Sequence, residues 1–237
     1  MGDGIRPLDP RNPRDLEAVT RMHAALIPQS PVCQLGPEFM QKFYYRKLVE
    51  DKLIQCDLYE HEGTPAGFIA YTEIPSRFMS EGLRHHWLYL TGVLAFSICR
   101  NPQRIAAVLK ALTIMGSRTR KTRTSGEGEM LSLGVLPEFR TPQFIRRTGK
   151  RIPSALFEHA RTYFRNKGVV NIYLLVEAEN TPAMMLYRAM GGRFEPDVDS
   201  GGKSLRVTYS SAEQKNERST ADDKGPEEAP SAASQKL

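Results

Sequence analysis

Five basic residues lie close together ahead of one predicted helix, and they are the clearest chemical feature of the sequence: Arg140, Arg146, Arg147, Lys150 and Arg151. The segment that leads into the helix predicted over Ser154–Arg165 consists of Thr148, Gly149, Lys150, Arg151 and Ile152. The first turn of a helix presents unpaired N–H groups and a partial positive charge of about 0.5, which favour phosphate binding. The pattern predicts a binding site for a phosphorylated ligand, with a generic basic turn as the alternative.

Recognisable strand and helix patterns lie on both sides of this predicted helix. A strand is predicted over Met130–Leu136, and it ends in a Val-x-Pro-x-x-Arg sequence that reaches Arg140. A strongly apolar strand over Val169–Val176 is followed by Asn-x-x-Ala-x-x-x-Tyr-x-x-x-Gly-Gly-x-Phe, which begins at Asn180. In order and spacing these pieces resemble the GNAT superfamily of acyl-CoA-dependent N-acyltransferases. The resemblance covers Ile5–Tyr209, with an interruption between Gly82 and Gly126.

The resemblance implies an α/β (α+β) GNAT fold whose mixed central sheet is splayed between its fourth and fifth strands. It implies acetyl-CoA as the acyl donor, with acetyl as the default acyl group, and direct attack by a primary amine in a ternary complex. Exposed backbone at Leu133, Gly134 and Val135 would bind the pantetheine arm. Backbone donors in the splay would stabilise the developing oxyanion, an effect worth roughly 3–4 kcal/mol per donor.

The predicted phosphate loop departs from the family pattern Gln/Arg-x-x-Gly-x-Gly/Ala. One register reads Arg146-x-x-Gly149-x-Arg151, and the other places Arg151 and Pro153 at the two small-residue positions. Proline has no N–H to offer a phosphate, although it suits the first turn of a helix. We therefore expect an altered phosphate cradle. The same departure supports a second hypothesis, a GNAT-fold module that binds CoA weakly or not at all and acts as an adaptor.

Candidate proton-transfer residues follow from the resemblance. Tyr187 matches the family's tyrosine that serves as general acid near the thioester sulfur, and packing in an amphipathic helix is the alternative role. Asn180 matches a residue near the cofactor, but an asparagine before Thr-Pro is also a good helix N-cap. For the general base, Glu129 at the start of the central strand is the first candidate. Glu177, Glu179 and the pair His85-His86 are alternatives, and no metal-ligand spacing is present.

Hydrophobic periodicity indicates the elements that must position these residues. A strand at Ile5–Leu8 is followed by helices near Leu16–Leu26 and Phe39–Val49, and then by strands at Leu53–Tyr59 and Ala66–Ile74. The sequence therefore opens as β-α-α-β-β and later returns to alternating strands and helices that end with a strand at Lys203–Tyr209. We expect one GNAT domain over residues 1–210.

The insertion, residues 82–126, has eight basic and no acidic residues. We expect helices over Leu83–Ile98 and Pro102–Met115, forming a basic hairpin with more apolar residues than a narrow core stripe needs. It would cover the acceptor cleft, a second subunit of a homodimer or an anionic membrane surface; a solvated basic rim is the alternative. The acceptor itself would be a small-molecule or protein amine. Nucleic acid is less favoured because no aromatic stacking platform accompanies the charge.

Composition sets the remaining limits. The chain has 237 residues, a net charge of +6 and three cysteines without a C-x-x-C pair, which indicates neither a disulfide framework nor a cysteine zinc site. The first residues lack the apolar core of a secretory signal, so we expect a cytoplasmic protein, with a peripheral membrane contact as an option. Residues 211–237 are almost free of large apolar side chains, which predicts a disordered tail.

Overall fold

The computed structural model describes residues 3–92, 126–197, 200 and 203–210. A seven-stranded sheet organises them, in the spatial order β1-β2-β3-β4-β5-β7-β6. Neighbouring strands are antiparallel except β4 and β5, which are parallel. The strands are β1 (Gly4–Pro7), β2 (Gln55–His61), β3 (Thr64–Thr72), β4 (Glu127–Val135), β5 (Asn171–Glu177), β6 (Arg193–Pro196) and β7 (Ser204–Ser210).

Helices connect these strands, and several begin at a proline, which tolerates the first turn because no intrahelical N–H bond is lost there. A π-helix (Met40–Lys47) joins α3 to α4, and a 3-10 helix (Pro137–Arg140) precedes α6. The α-helices are α1 (Pro13–Leu26), α2 (Pro31–Gln34), α3 (Pro37–Phe39), α4 (Leu48–Glu50), α5 (Phe78–His85), α6 (Pro142–Thr148), α7 (Ile152–Asn166) and α8 (Thr181–Ala189).

The sheet carries an apolar core on each face. The α1 face is the side covered by α1 and the π-helix, whose buried residues include Val19 and Phe43 against Phe68 of β3. The α7 face is the opposite side, where α7 and α8 pack on the alternate strand residues such as Ile172 and Val207. Side chains alternate along a strand, so each strand contributes to both faces.

The predicted β-α-α-β-β opening is confirmed. The β2–β3 hairpin turns at Glu62 and Gly63, whose φ angles of 52° and 77° match the twist that a two-residue hairpin loop requires. The strands and helices predicted after residue 129 are also present, with ends displaced by one to three residues. Within the described ranges, none of the helices has the length and apolarity needed to cross a bilayer.

One expectation about local structure was wrong, and one strand was missed. The helix predicted over Leu83–Ile98 is interrupted: α5 ends at His85, and a separate helical stretch starts at residue 87. His86 lies at the break, where its Nε2 is 2.7 Å from Asp51 Oδ2. Strand β6 was not predicted, because its charged sequence carries no strand pattern and it is held by pairing with β7. Helix Pro102–Met115, most of the insertion and the tail lie outside the described residues.

Candidate functional site at the splayed strands

The central feature of the sheet is the point where β4 and β5 separate. These two strands pair only from Glu127 with Asn171 to Met130 with Leu174. Beyond that point β4 continues with β3 to Val135, and β5 continues with β7 to Glu177. The predicted splay between the fourth and fifth strands is therefore confirmed. Because no described strand pairs with the β5 side of β4 beyond Met130, backbone N–H and C=O groups of this segment face the gap.

A β-bulge marks the start of the gap. The register of β3 with β4 shifts between Ala70, opposite Ser132, and Tyr71, opposite Met130, so Leu131 is the extra residue. A bulge bends its strand and increases the local twist, which carries β4 away from β5. The predicted pantetheine segment Leu133–Val135 lies in the gap region that follows.

Close packing explains the glycine in this segment. A Cβ at Gly134 would lie 2.7 Å from the Phe68 ring and 2.9 Å from Leu26 Cδ1, both on the α1 face. The backbone of β4 therefore approaches the α1 core as closely as a glycine permits. Any larger residue would push this edge of the gap out of place.

The predicted phosphate end lies at the start of α7. Ile152 is the first residue of this fifteen-residue helix and is buried, while Arg151 is its exposed N-cap and supplies no side-chain cap bond. Ile152 and Ser154 carry N–H groups in the first turn, whereas Pro153 carries none. Ala155 N already donates to Arg151 O at 3.0 Å. Arg151 and Pro153, the small-residue positions of one predicted register, therefore lie at the N-cap and at the second residue of α7.

The basic segment before α7 is not the single loop that the sequence predicts. It contains the 3-10 helix ending at Arg140 and the two-turn helix α6, which carries Arg146 and Arg147 on its exposed side. Thr141 caps α6 by accepting from Phe144 N at 3.1 Å. Phe144 is buried, which anchors α6 on the α7 face. Capping by Thr141 and burial of Phe144 therefore stabilise α6, although its sequence is rich in charge.

Lys150 is already paired within the chain. Its Nζ contacts the Asp3 carboxylate, which also accepts from Glu62 N at 2.7 Å and lies 3.1 Å from His61 Nδ1. The β2–β3 hairpin and the residue before β1 thus hold the loop that leads to α7. Arg140, Arg147 and Arg151 are exposed.

Tyr187 lies on the α7 face. Its ring centroid is 6.0 Å from that of Phe157, and 8% of the residue is exposed. Its carbonyl oxygen accepts from Gly192 N at 2.9 Å and from Tyr209 Oη at 3.1 Å, whereas no described group hydrogen-bonds its hydroxyl. Burial raises the pKa of Tyr187 to about 12, so the phenol stays protonated at neutral pH. The packing role expected as an alternative is present, and it leaves the hydroxyl available as a donor.

Glu129 lies on the opposite face of the same sheet. It pairs in register with Tyr173 of β5, one residue before the β4–β5 pairing ends. Glu129 is buried, and Tyr173 Oη donates to Glu129 Oε2 at 3.0 Å. A carboxylate and its tyrosine partner therefore stand at the start of the gap, on the side away from Tyr187.

Two further residues support this pair. The Arg206 guanidinium lies 3.9 Å from the centroid of the Tyr173 ring, and its NH2 donates to Glu127 Oε2 at 2.9 Å. Arg206 comes from β7 and Glu127 from β4, so the four residues bridge three strands. A cleft of about 250 Å³ lies next to them, at the other end of the β4–β5 pairing, and is lined by both Glu127 and Tyr173.

The remaining predicted residues are distributed more widely. Asn180 caps α8, with its Oδ1 accepting from Ala183 N at 3.2 Å, so its capping role is confirmed. Glu177 is exposed at the end of β5, and Glu179 is exposed beyond it. His85 and His86 both face Asp51 near α4. No cluster of three or more metal-ligating side chains occurs among the described residues.

Sequence reasoning missed Tyr173 and Arg206. Both occupy positions that alternate with the apolar residues of their strands, Ile172 and Leu174 on β5 and Val207 on β7. That alternation assigns the two residues to one side of the sheet. The strand order that brings β7 beside β5 was required to show that they meet.

Comparison with known proteins identifies the fold. No protein-family model and no curated protein sequence matches the chain. SsHAT superimposes with a TM-score of 0.57 at 19% identity, covering 90% of this chain and 100% of SsHAT. The PaiA N-acetyltransferase from Thermoplasma acidophilum, in complex with coenzyme A, gives 0.50 at 15% identity, covering 89% and 99%. The GNAT domain of S. lividans PAT gives 0.50 at 13% identity, covering 88% and 90%. These likenesses show the fold: the chain has the GNAT fold.

Proposed function

We propose that this GNAT-fold chain is an acyl-CoA-dependent N-acyltransferase that transfers acetyl from acetyl-CoA to a primary amine. The observation that carries the proposal is the gap between β4 and β5, which starts at a bulge and exposes the backbone of Leu133–Val135. An extended ligand with amide groups can pair with such an edge as an added strand would. The acceptor would be a small-molecule or protein amine.

The residues present fit a CoA molecule. The Ile152 and Ser154 N–H groups and the exposed Arg147 and Arg151 would bind its pyrophosphate at the start of α7. Lys150 would join them by exchanging Asp3 for a phosphate oxygen. Pro153 has no N–H and therefore offers the phosphate no backbone donor. The neighbouring arginines supply positive charge in its place. When bound, acetyl-CoA supplies an activated acyl group and a thiolate leaving group.

Two proton transfers fall to residues on opposite faces of the sheet. Glu129 would take a proton from the acceptor ammonium, so that the neutral amine attacks the acyl carbon. Tyr187 would donate its proton toward the departing sulfur; burial raises its pKa to about 12, so the phenol is protonated at neutral pH. Backbone N–H groups beside the bulge at Leu131 would stabilise the oxyanion. The amine would attack directly, without a covalent enzyme intermediate: the C–N bond forms and the C–S bond breaks, nitrogen loses its second proton to solvent, and solvent returns a proton to Tyr187.

Titration calorimetry with acetyl-CoA tests this proposal. The wild type should bind acetyl-CoA, and Arg151→Glu should weaken binding by about 10-fold or more, since a carboxylate at this helix start repels phosphate. Arg165→Glu is the matched control, because Arg165 is an exposed arginine in the last turn of the same helix. Its affinity should stay within about 2-fold of the wild type. Absence of acetyl-CoA binding by the wild type would remove the enzyme proposal.

Exposed apolar residues favour a second candidate function, attachment to an anionic membrane surface. Trp87 is 60% exposed and Leu88 is 67% exposed, at the start of the acid-free segment. Aromatic and aliphatic side chains beside basic residues are typical of interfacial segments. Trp87 is the only tryptophan of the chain, so its fluorescence reports directly on this surface. A blue shift with phosphatidylglycerol vesicles, absent with phosphatidylcholine vesicles, is expected; no shift with either removes this candidate.

A further inference from the structure

Tyr173, Arg206, Glu127 and Glu129 form one polar cluster on the α1 face of β4, β5 and β7. Tyr173 lies opposite Glu129 on one side and opposite Thr208 on the other, so it occupies the middle of the three strands. Within the sheet, 5% of Tyr173 and 8% of Glu129 is exposed. Burial of this kind is costly for a carboxylate unless hydrogen bonds support it.

The cluster restrains Glu129 at a fixed place. Tyr173 donates to Glu129 Oε2 at 3.0 Å, and its ring cannot turn away freely because the Arg206 guanidinium lies 3.9 Å from the ring centroid. Arg206 is in turn held by Glu127 at 2.9 Å. Each member therefore limits the motion of the next, and the last link ends one residue before the β4–β5 gap.

We propose that Tyr173, held by Arg206, is a positioning residue that keeps the Glu129 carboxylate ionised and aimed at the gap, where it accepts the proton of the acceptor amine. This inference rests on the proposed acyltransferase function. The proton moves from the ammonium nitrogen to a Glu129 oxygen and passes to solvent after the acyl transfer. Tyr173 donates a hydrogen bond throughout and does not itself lose its proton.

The charges around Glu129 agree with this role. Burial and the neighbouring Glu129 raise the pKa of Tyr173, which therefore remains a donor at neutral pH. A hydrogen bond to the ionised form of a carboxyl group favours that form. Among the described residues, the charged groups near the pair include Glu127 from the same strand and Arg206 from β7, and Thr72 of β3 lies opposite Glu129. The positive charge of Arg206 offsets the negative charge of Glu127, which would otherwise disfavour ionisation of Glu129.

A matched pair of variants separates this role from simple packing. Tyr173→Phe removes the hydroxyl and retains the ring. Tyr163→Phe removes the same kind of bond on the α7 face, where Tyr163 Oη donates to Glu73 Oε1 at 2.5 Å. Both changes remove one tyrosine–glutamate hydrogen bond and keep the ring, so Tyr163→Phe shows the effect of losing such a bond away from Glu129.

The first measurement needs no acceptor. Carbon-13 labelling of glutamate carboxyl groups follows the titration of Glu129, with its signal assigned by its loss in Glu129→Gln. In Tyr173→Phe the Glu129 pKa should rise by roughly 0.5–1 unit, because one hydrogen bond to the charged form is lost. In Tyr163→Phe it should stay at the wild-type value. An unchanged Glu129 pKa in Tyr173→Phe, or equal shifts in both variants, overturns the proposal.

The second measurement uses turnover of acetyl-CoA with a lysine-containing peptide that has a free N-terminus, or with putrescine. For Tyr173→Phe, kcat should fall about 10-fold and the acid limb of its pH profile should move upward, while acetyl-CoA affinity stays within about 2-fold. Turnover with a wild-type profile overturns the positioning role and leaves the acyltransferase proposal standing. Lack of acetyl-CoA binding by the wild type overturns the acyltransferase proposal itself.

Discussion

The two faces of the sheet differ most where β4 and β5 separate. On the α7 face, Tyr187 packs on Phe157 of α7, the helix whose N-terminus is the proposed phosphate site. On the α1 face, Glu129 is held by Tyr173 in a cluster of charged groups. In the proposed reaction the leaving thiolate and its acid belong to one face, and the amine and its base belong to the other. The gap is the place in the described sheet where the two can meet.

Two tyrosine–glutamate bonds sharpen this contrast. The Tyr163–Glu73 bond joins α7 to the residue that follows β3. The Glu73 side chain is 35% exposed, and Lys167 Nζ lies 3.8 Å from Glu73 Oε1. The Tyr173–Glu129 bond joins two residues that are both under 10% exposed. Of these two pairs, only Tyr173–Glu129 has its carboxylate protected from water. Inside the protein, electrostatic interactions are stronger than in water, so the proton affinity of Glu129 depends on its immediate neighbours.

The largest expected effect is that of Glu129→Gln. Removal of a general base typically lowers the rate by roughly 10²–10⁴-fold. We therefore expect kcat to fall by at least about 100-fold in steady-state assays, with acetyl-CoA affinity nearly unchanged because the change is on the α1 face. Glu177→Gln, at the exposed end of β5, is the control and should retain activity. If Glu177→Gln is the inactive variant, the base has been assigned to the wrong residue.

A pH effect on stability should come next, and it comes from a buried histidine on the α1 face. His23 is fully buried between Tyr45 and Ser30, and burial lowers its pKa to about 4 from the ordinary value near 6.5. At His23 the unfolded chain then binds more protons between these values, so the contribution of His23 to stability is fully present above about pH 6.5 and is lost as the pH falls toward 4. The loss over this range is about 3 kcal/mol. Urea unfolding at pH 7 and pH 5 should show about 2 kcal/mol of this loss, because pH 5 lies part-way through the range.

The variant His23→Gln is the control for this pH effect. It removes the titrating group, so its unfolding free energy should change less between pH 7 and pH 5 than that of the wild type. Identical pH dependence in the two proteins would mean that His23 does not titrate in this way.

A smaller effect is expected for Tyr187→Phe on the α7 face. If the hydroxyl is the general acid, kcat should fall roughly 10–100-fold, with acetyl-CoA affinity within about 2-fold. Stability should change little, because the hydroxyl has no hydrogen-bond partner among the described residues. Tyr209→Phe is the contrasting variant: it breaks the 3.1 Å bond to the Tyr187 carbonyl, which should lower the unfolding free energy by about 1 kcal/mol. Full activity of Tyr187→Phe would exclude its acid role.

Gly149→Ala should have the smallest effect. Gly149 ends α6 with a φ of 70°, and a Cβ added there would meet no described atom within 4 Å, so an alanine encounters backbone strain but no clash. The unfolding free energy should fall by about 1 kcal/mol. Gly168→Ala, with a φ of 72° after the other end of α7, should lose a similar amount. A change in acetyl-CoA affinity in the Gly149 variant alone would show that the loop geometry matters for binding.

Much of the fold was predictable because hydrophobic periodicity is a local property. Strands such as β4 and helices such as α7 carry strong patterns, and Asn180 before Thr-Pro reads as an N-cap in any context. Helix α6 was missed because one buried residue, Phe144, is too weak a pattern to outweigh its charges. Strand β6 was missed because β7 supplies its stability through backbone pairing, which the side-chain sequence does not encode.

The sequence by itself determined the order of most elements, the GNAT resemblance and the candidates Glu129 and Tyr187, since these depend on residue type and spacing along the chain. Tertiary structure alone decided that the two candidates lie on opposite faces, that the bulge at Leu131 begins the gap, and that Tyr173 and Arg206 support Glu129. The physical reason is that strand register and side-chain orientation arise from pairing between distant segments. A shift of one residue would place every side chain of a strand on the other face.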